Sequence, residues 1–238
     1  MKHLVETPHE KSSRKTPVIV GLLFILATVL SLLASAIVGP SLGASDYLAS
    51  VSASQNQVIT GVILMIGAAI SIFLIPAMMF PVLKRYDEGM ALGYFSFRIM
   101  EAVTLFADGF SVLLLVTLSR EYVKAGTPAA SYFQTSGAVL LGAHNWAFQL
   151  NPIVFGLGGL IFYYLLYQSR LIPRWLSLWG LIGAVLVFAA GLSGMFVSFP
   201  TVLALPIAVQ EMVMAAWFIV KGFNPSAITS GPAKDAAP

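Results

Sequence analysis

The sequence contains no cysteine and few ionisable side chains. Of its 238 residues, 10% are charged and 3 are histidine. Without cysteine the chain can form no disulfide, no thiolate metal site and no cysteine nucleophile. Only His144 lies within or beside an apolar segment, whereas a membrane zinc hydrolase uses about three protein ligands and a bis-histidine haem needs a pair. The sequence therefore predicts no metal site and no cofactor.

Motifs of the common hydrolases and nucleotide-binding enzymes are also missing. The chain has no G-x-S-x-G, no P-loop and no dinucleotide-binding glycine pattern. This favours a protein that is not an enzyme. The net charge of +3 would suggest a nucleic-acid partner in a soluble protein, but here the basic residues lie at the ends of apolar segments. Membrane topology explains that placement, so no nucleic-acid partner is expected.

Long apolar runs dominate the rest of the sequence. Hydrophobic residues make up 58% of the chain, and each helix that spans a bilayer needs roughly 20 apolar residues. The sequence therefore predicts an all-α fold, a polytopic transmembrane bundle of six helices whose partner is the lipid bilayer. The predicted apolar segments are 17–39, 58–81, 90–118, 137–168, 176–198 and 201–221.

Lysine and arginine are distributed unequally between the two sides that these segments define. One side receives ten and the other two, so the positive-inside rule places both termini in the cytoplasm. The ten are Lys2, Lys11, Arg14, Lys15, Lys84, Arg85, Arg170, Arg174, Lys221 and Lys234, and the two are Arg120 and Lys124. The first segment exceeds the roughly 7 to 15 apolar residues of a cleaved signal peptide, which favours an uncleaved helix. The predicted domains are a cytoplasmic leader over 1–16, a transmembrane domain over 17–223 and a disordered cytoplasmic tail over 224–238.

A polar stripe runs along the third segment, inside its apolar run. Its members fall within roughly one quarter of the circumference of a helix that turns about 100° per residue. They are Tyr94, Arg98, Glu101, Leu105 and Asp108. A charge that faces lipid near the bilayer centre costs from about 3 to more than 10 kcal/mol. The stripe is therefore expected to face the interior of the bundle and to find partners there.

A second acid is predicted at the same depth on the sixth segment. At about 1.5 Å per residue, Glu211 lies about 15 Å along its helix from Lys221, and Glu101 lies about 16 Å from Met90. The predicted inner cluster is Arg98, Glu101 and Glu211, in which one guanidinium pairs with one carboxylate or forks to both. One acid is in excess if all three are charged.

A second polar group is predicted near the outer boundary from Asp108, His144 and Asn151. The latter two are seven residues apart and share one face of the fourth segment. Pro152 and Pro206 remove backbone donors close to the polar groups, and broken backbone at this depth is tolerated where it lines a cavity or is buried in protein. Plainer interpretations exist, in which the charged pair only locks helices together and His144 is an ordinary interfacial histidine.

Aromatic and small residues near the cytoplasmic boundary have ordinary explanations. Five aromatic residues there are expected to form an aromatic belt. They are Tyr163, Tyr164, Tyr167, Trp175 and Trp179. The four-residue spacing of Gly180 and Ala184 predicts close packing of the fifth helix against a neighbour.

Three stretches of the sequence together resemble one known family. They are the R-x-x-E of Arg98 and Glu101, the SRLIPRWLSLWGLIG run over 169–183, and the closing E-x-x-x-A-x-W-x-I-x-K-G-F over 211–223. In combination they are similar to bacterial six-helix membrane proteins grouped as domain of unknown function 4386, and the likeness covers most of the chain. The resemblance implies a multi-pass protein of the bacterial plasma membrane with no assigned chemistry, and it carries over no catalytic residue.

Three hypotheses for the function follow from the buried charges. The first is a membrane protein that binds or transports a small solute or a proton at a site between helices three, four and six. The second is an intramembrane enzyme that acts on lipid, with Glu101, Glu211 or Asp108 as acid and base. The third is a structural or partner-binding subunit, although the sequence identifies no protein partner. Whether water reaches the stripe distinguishes these hypotheses. A cavity open to one face favours transport or catalysis, and a dry, fully paired cluster favours the structural role.

Overall fold

The computed structural model describes residues 8–126, 131–197 and 200–229, and all regular structure within these ranges is helical. Its α-helices are α1 (Pro8–Leu42), α2 (Tyr47–Ala53), α3 (Gln55–Leu83), α4 (Glu88–Lys124), α5 (Ser131–Ser169), α6 (Arg174–Gly194), α7 (Leu205–Val220) and α8 (Pro225–Thr229). In the described ranges, six stretches are long and apolar enough to cross a membrane, and the last of them joins α7 to the 3-10 turn before it. The prediction of an all-α membrane bundle of six helices is confirmed.

Several helices extend beyond the predicted apolar segments, because polar caps rather than apolar residues fix their ends. The side chain of Asp87 accepts a hydrogen bond from the backbone nitrogen of Met90 at 2.8 Å, and α4 begins directly after it. Asp46 caps the unpredicted helix α2 in the same way through Ala49 at 3.1 Å. These caps satisfy backbone donors that the first turn of a helix leaves without partners.

The six spans form a closed ring in which each packs against its two neighbours. The order around the ring is α1, α3, α4, α5, α6 and α7, and α7 returns to α1. The closing contact is tight, since a Cβ atom added to Gly21 of α1 would lie 2.6 Å from the carbonyl oxygen of Ala215 of α7. Glycine at this crossing lets the two backbones approach each other. An even number of spans also places both ends of the bundle on one side, which we call the terminal side.

Among the described residues, the two larger apolar cores lie at different depths in the ring. The core nearer the terminal side is rich in aromatic residues, among them Phe24, Phe162 and Phe218. The core nearer the opposite side consists largely of valine and leucine, such as Val62 and Leu115. The part of α4 that carries Arg98, Glu101 and Asp108 lies between Tyr94 of the first core and Val112 of the second.

Pro206 does not interrupt a transmembrane helix, contrary to the expectation from the sequence. Residues Thr201–Ala204 form a 3-10 turn, α7 begins at Leu205, and Pro206 stands in its first turn. Proline is tolerated there because the backbone nitrogen at that position has no helical partner. Pro152, by contrast, lies inside α5.

The predicted disordered tail and leader are both partly helical. Pro225–Thr229 forms α8, where Ala227 is buried and its carbonyl accepts a hydrogen bond of 2.7 Å from the hydroxyl of Tyr86. Burial raises the pKa of the Tyr86 phenol against the opposing effect of Arg85, which favours the protonated form that donates this bond. In the leader, α1 already begins at Pro8. The remaining leader residues 1–7 and tail residues 230–238 lie outside the described residues.

Candidate functional site

The polar stripe of α4 faces the interior of the ring. Tyr94 is 2% exposed, Arg98 and Glu101 are each 4% exposed, and Asp108 is 7% exposed. Apolar side chains such as Phe110 cover the opposite face of α4 and are exposed. The rotation of the helix follows from the high cost of turning charged groups toward lipid.

Arg98 and Glu101 form a buried ion pair one turn apart on α4. Nη1 of Arg98 donates to Oε2 of Glu101 over 2.9 Å, and both side chains are 5% exposed. The guanidinium carbon of Arg98 also lies 5.8 Å from the ring centre of Phe24 on α1 and 5.9 Å from that of Phe155 on α5. Such cation–π contacts are attractive, and they strengthen where water is excluded. Helices α1, α4 and α5 therefore hold the cation together.

Glu211 of α7 lies beside this pair without forming an ion pair of its own. Its carboxylate interacts electrostatically with Arg98, Glu101 and Tyr163. Among the described residues of the ring interior, the ion pair is that of Arg98 with Glu101, and Asp108 contacts the imidazole of His144. Glu211 is also partly exposed, whereas the charged pair is buried. The structure thus brings the three predicted residues together, with Glu101 as the direct partner of Arg98 and Glu211 as the acid in excess.

Two tyrosine hydroxyls complete this inner cluster. The ring of Tyr94 stacks on Phe162 with centroids 4.5 Å apart, and Tyr163 beside it is 1% exposed. In the described part of the chain, the hydroxyl of Tyr94 and Nε of Arg98 are buried without a hydrogen bond, whereas the hydroxyl of Tyr163 interacts with the Glu211 carboxylate. A buried polar group without a partner costs about 1 to 3 kcal/mol. The Tyr94 hydroxyl and Nε of Arg98 are therefore available to bind a polar ligand.

The assignment of Tyr163 to an aromatic belt at the membrane surface is wrong. Its ring lies on Gly180 of α6, where an added Cβ atom would be 2.3 Å from Cδ1 of the tyrosine. The glycine leaves room for the ring inside the bundle, so Tyr163 turns inward, whereas its neighbour Tyr164 is exposed. The spacing of Gly180 and Ala184 was the available signal, because a face of small residues can accept a ring as well as a backbone.

The second predicted polar group is divided between two levels. Nδ1 of His144 on α5 is in direct contact with Oδ1 of Asp108 on α4. Asn151 does not reach that pair, and its Nδ2 donates to the Thr104 hydroxyl over 2.9 Å. The same hydroxyl donates to the carbonyl of Glu101 over 2.7 Å. Seven residues span about 10 Å along a helix, so the two α5 residues meet different turns of α4.

These contacts form two neighbouring polar groups along the boundary between α4 and α5, which together we call the polar ladder. Its members are Arg98, Glu101, Thr104 and Asp108 of α4 and Asn151 and His144 of α5. The α4 side of the ladder covers about 15 Å, roughly half of a hydrocarbon core about 30 Å thick. Thr104 was not identified from the sequence, although its spacing of three residues from Glu101 continues the stripe.

The comparison with known proteins agrees with this architecture. A family model described as a domain of unknown function (DUF4386) matches residues 19–222. The chain belongs to DUF4386. No curated protein and no solved structure matches the chain. The DUF4386 region contains the whole polar ladder and Glu211, so the candidate site is part of the family's domain.

Across 8–126, 131–197 and 200–229, no three histidine, aspartate or glutamate side chains lie close enough to hold a metal ion. Asp108 and His144 make a pair, and the two glutamates of the inner cluster lie deeper in the ring beside a cation. What the described site offers chemically is carboxylates, an imidazole, hydroxyls and one guanidinium.

Proposed function

We propose that this membrane protein binds a small cation, a proton included, at Glu211 and moves it along the polar ladder. The observation that carries the proposal is the surplus acid, since two carboxylates share one guanidinium and Glu211 is the one left without an ion pair in the described chain. A cation bound there would restore the charge balance. If the cluster served only to lock helices together, no second acid would be needed.

Glu211 lies at the edge of the buried cluster. Arg98 and Glu101 are buried, while Glu211 is partly exposed beside them. An acid at the edge of a buried cluster can take up a cation and then share it with the groups behind it. Intramembrane carboxylates and histidines that face a bundle interior are typical of ion and proton pathways.

The polar ladder supports movement as well as binding. Thr104 lies one turn of α4 beyond Glu101 toward the opposite side, and Asp108, in contact with His144 of α5, lies one turn beyond Thr104. Hydroxyl, carboxylate and imidazole groups can each accept and donate a proton. The remaining half of the bilayer would be crossed on the terminal side, where Glu211 and the two tyrosine hydroxyls lie.

Proton uptake by liposomes tests the proposal. Vesicles that contain the purified protein and an internal pH dye should acidify when a potassium diffusion potential, negative inside, is applied. Glu211→Gln should slow this uptake by about tenfold or more, equivalent to roughly 1.4 kcal/mol on the barrier. The matched control is Glu121→Gln, because Glu121 is 57% exposed and forms a surface ion pair with Lys124. That control should leave the rate unchanged.

A second measurement covers cations other than the proton. Sodium, ammonium and choline are each added to the protein, because a cation bound at the site raises the melting temperature of the native state. The shift should vanish in Glu211→Gln. Uptake equal to that of empty vesicles, together with no shift for any cation, would contradict the proposal and favour the helix-locking role. Release of lipid products in these vesicles would instead favour the intramembrane enzyme.

We also propose that the protein resides in the plasma membrane of a bacterium with both termini in the cytoplasm. Two observations support this proposal. Ten basic residues lie on one side of the membrane and two on the other, and the proteins that the sequence resembles are bacterial plasma-membrane proteins. Because the chain lacks cysteine, single cysteines can be labelled in intact cells with an impermeant maleimide. Ser45→Cys and Ser131→Cys should react, and Ser230→Cys should react only after permeabilisation. Labelling of the Ser230→Cys variant in sealed cells would reverse the topology.

A further inference from the structure

A cavity of about 470 Å³ opens at the terminal side, away from the polar ladder. It is enclosed by the turn between α5 and α6, the end of α7 and the segment that leads into α8. Its buried floor is apolar and includes Leu171, Ile172 and Phe223. Its volume falls within the range of about 300 to 1,000 Å³ that is typical of ligand pockets.

Three cations lie around this cavity, and its described lining residues include no acid. The basic side chains are those of Arg170, Arg174 and Lys221, all of them exposed. Throughout the described ranges, none of the three forms an ion pair. The guanidinium of Arg174 is held over the ring of Tyr167 at 5.0 Å, which fixes one charge in place. Three like charges around one opening repel each other, and a bound anion would relieve that repulsion.

Arg170 occupies a backbone conformation that side chains other than glycine rarely adopt. Its φ angle is 54°, and the left-handed region is disfavoured for residues with a Cβ atom. The next residue, Leu171, is buried and stabilises the turn. Its carbonyl accepts a hydrogen bond from the backbone nitrogen of Asn224 over 2.9 Å. Glycine would fit this position without strain. The arginine therefore contributes something other than backbone stability.

Topology alone does not explain the arrangement. The positive-inside rule requires basic residues on one side of the membrane, but it does not require three of them to surround one cavity. It also gives no reason for a strained arginine in a turn. A ligand that needs several cations at one point accounts for both features.

We propose that this cavity binds a phosphate group. Guanidinium groups bind phosphate oxygens through two parallel hydrogen bonds, and lysine adds a point charge. The phosphate can belong to an anionic lipid headgroup, because basic pockets on transmembrane domains recognise such headgroups, or to a soluble phosphate compound. The apolar floor and the adjacent Trp217 give the remainder of the ligand an apolar surface.

Two binding measurements on the purified full chain distinguish these sources. Native mass spectrometry measures retention of phosphatidylglycerol against phosphatidylcholine, and melting curves measure the response to inorganic phosphate. Arg170→Gly and Lys221→Gln should each weaken binding by about fivefold. Arg170→Gly should leave the melting temperature without ligand unchanged or raised, since glycine suits the turn. A loss of binding in that variant then cannot come from misfolding.

The matched control is Arg120→Gln, which removes an exposed cation on the opposite side, where its Nε donates to Oε1 of Gln55 over 2.6 Å. It should leave binding unchanged. Selective retention of the anionic lipid assigns the site to a headgroup, and a response to inorganic phosphate alone assigns it to a soluble compound. The proposal is overturned if neither ligand binds, or if Arg120→Gln weakens binding as much as the cavity variants do.

Discussion

Glutamine in place of Glu101 is expected to lower the free energy of unfolding by about 3 to 5 kcal/mol, the usual cost of removing one partner from a buried ion pair. Arg98 would remain 4% exposed between the rings of Phe24 and Phe155. Its guanidinium stays charged in proteins, so the variant buries a cation without its direct partner. Unfolding by detergent titration, followed by tryptophan fluorescence or circular dichroism, measures the loss.

Glu211→Gln serves as the matched comparison, because it changes the neighbouring acid without removing an ion pair that the described chain contains. It should cost less stability than Glu101→Gln, since it removes a weaker interaction with Arg98 together with the repulsion between two carboxylates. Arg98→Met combined with Glu101→Gln should recover part of the loss, as expected for a buried pair replaced by uncharged groups. Equal losses in the two glutamate variants would show that Arg98 divides its charge between both acids. No loss in Glu101→Gln would show that the pair is not buried.

Alanine in place of Gly180 is expected to destabilise the bundle by about 1 to 3 kcal/mol, the usual cost of overpacking a core. The added methyl group would lie 2.3 Å from Cδ1 and 2.4 Å from Cε1 of Tyr163, a ring that is 1% exposed and has no room to retreat. The direction of the change in stability is informative, because replacing glycine by alanine inside a helix normally stabilises a protein by roughly 0.5 to 1 kcal/mol. Melting temperatures of the purified variants give the comparison.

Gly142→Ala on α5 is the control for this substitution. No side chain or neighbouring backbone lies within 4 Å of the atom that the change would add. Gly142→Ala should therefore stabilise the protein by the amount usual for glycine to alanine inside a helix. If Gly180→Ala stabilised the protein to the same extent, Tyr163 would not lie against α6, and its inward position beside Glu211 would be wrong. A destabilised Gly180→Ala variant that also loses proton uptake would connect Tyr163 to the proposed function.

The spans were predictable from the sequence because the bilayer imposes a length and a composition on each of them. Their exact ends were not, since these depend on single capping residues such as Asp87, whose contribution is about 1 kcal/mol. The helix α2 was missed because seven residues are too few to show a helical period. It forms where Asp46 caps its start and where Leu48 and Val51 are buried against the ring.

The candidate site was predictable only where local spacing decided the contacts. Arg98 and Glu101 stand three residues apart on one helix, so their pairing follows from helix geometry alone. The proximity of Glu211 followed from equal depth on two helices. The partner of Asn151 and the inward turn of Tyr163 depend instead on how α5 is rotated and shifted against α4 and α6. The packing of small residues determines this rotation and shift, which cannot be predicted from any single stretch of the sequence.

The closure of the ring between α1 and α7 has a consequence for biogenesis. Among these six spans α1 is made first and its neighbour across Gly21 is made last, so the ring stays open until translation of the sixth span is complete. α4 brings Glu101 as a counterion for Arg98 on the same helix, so this cation can leave the translocon already neutralised. The surplus acid Glu211 arrives only with α7, when five of the six walls of the ring can already be assembled. Arg98 thus has its counterion from the moment α4 is made, whereas Asp108 meets His144 only when α5 follows.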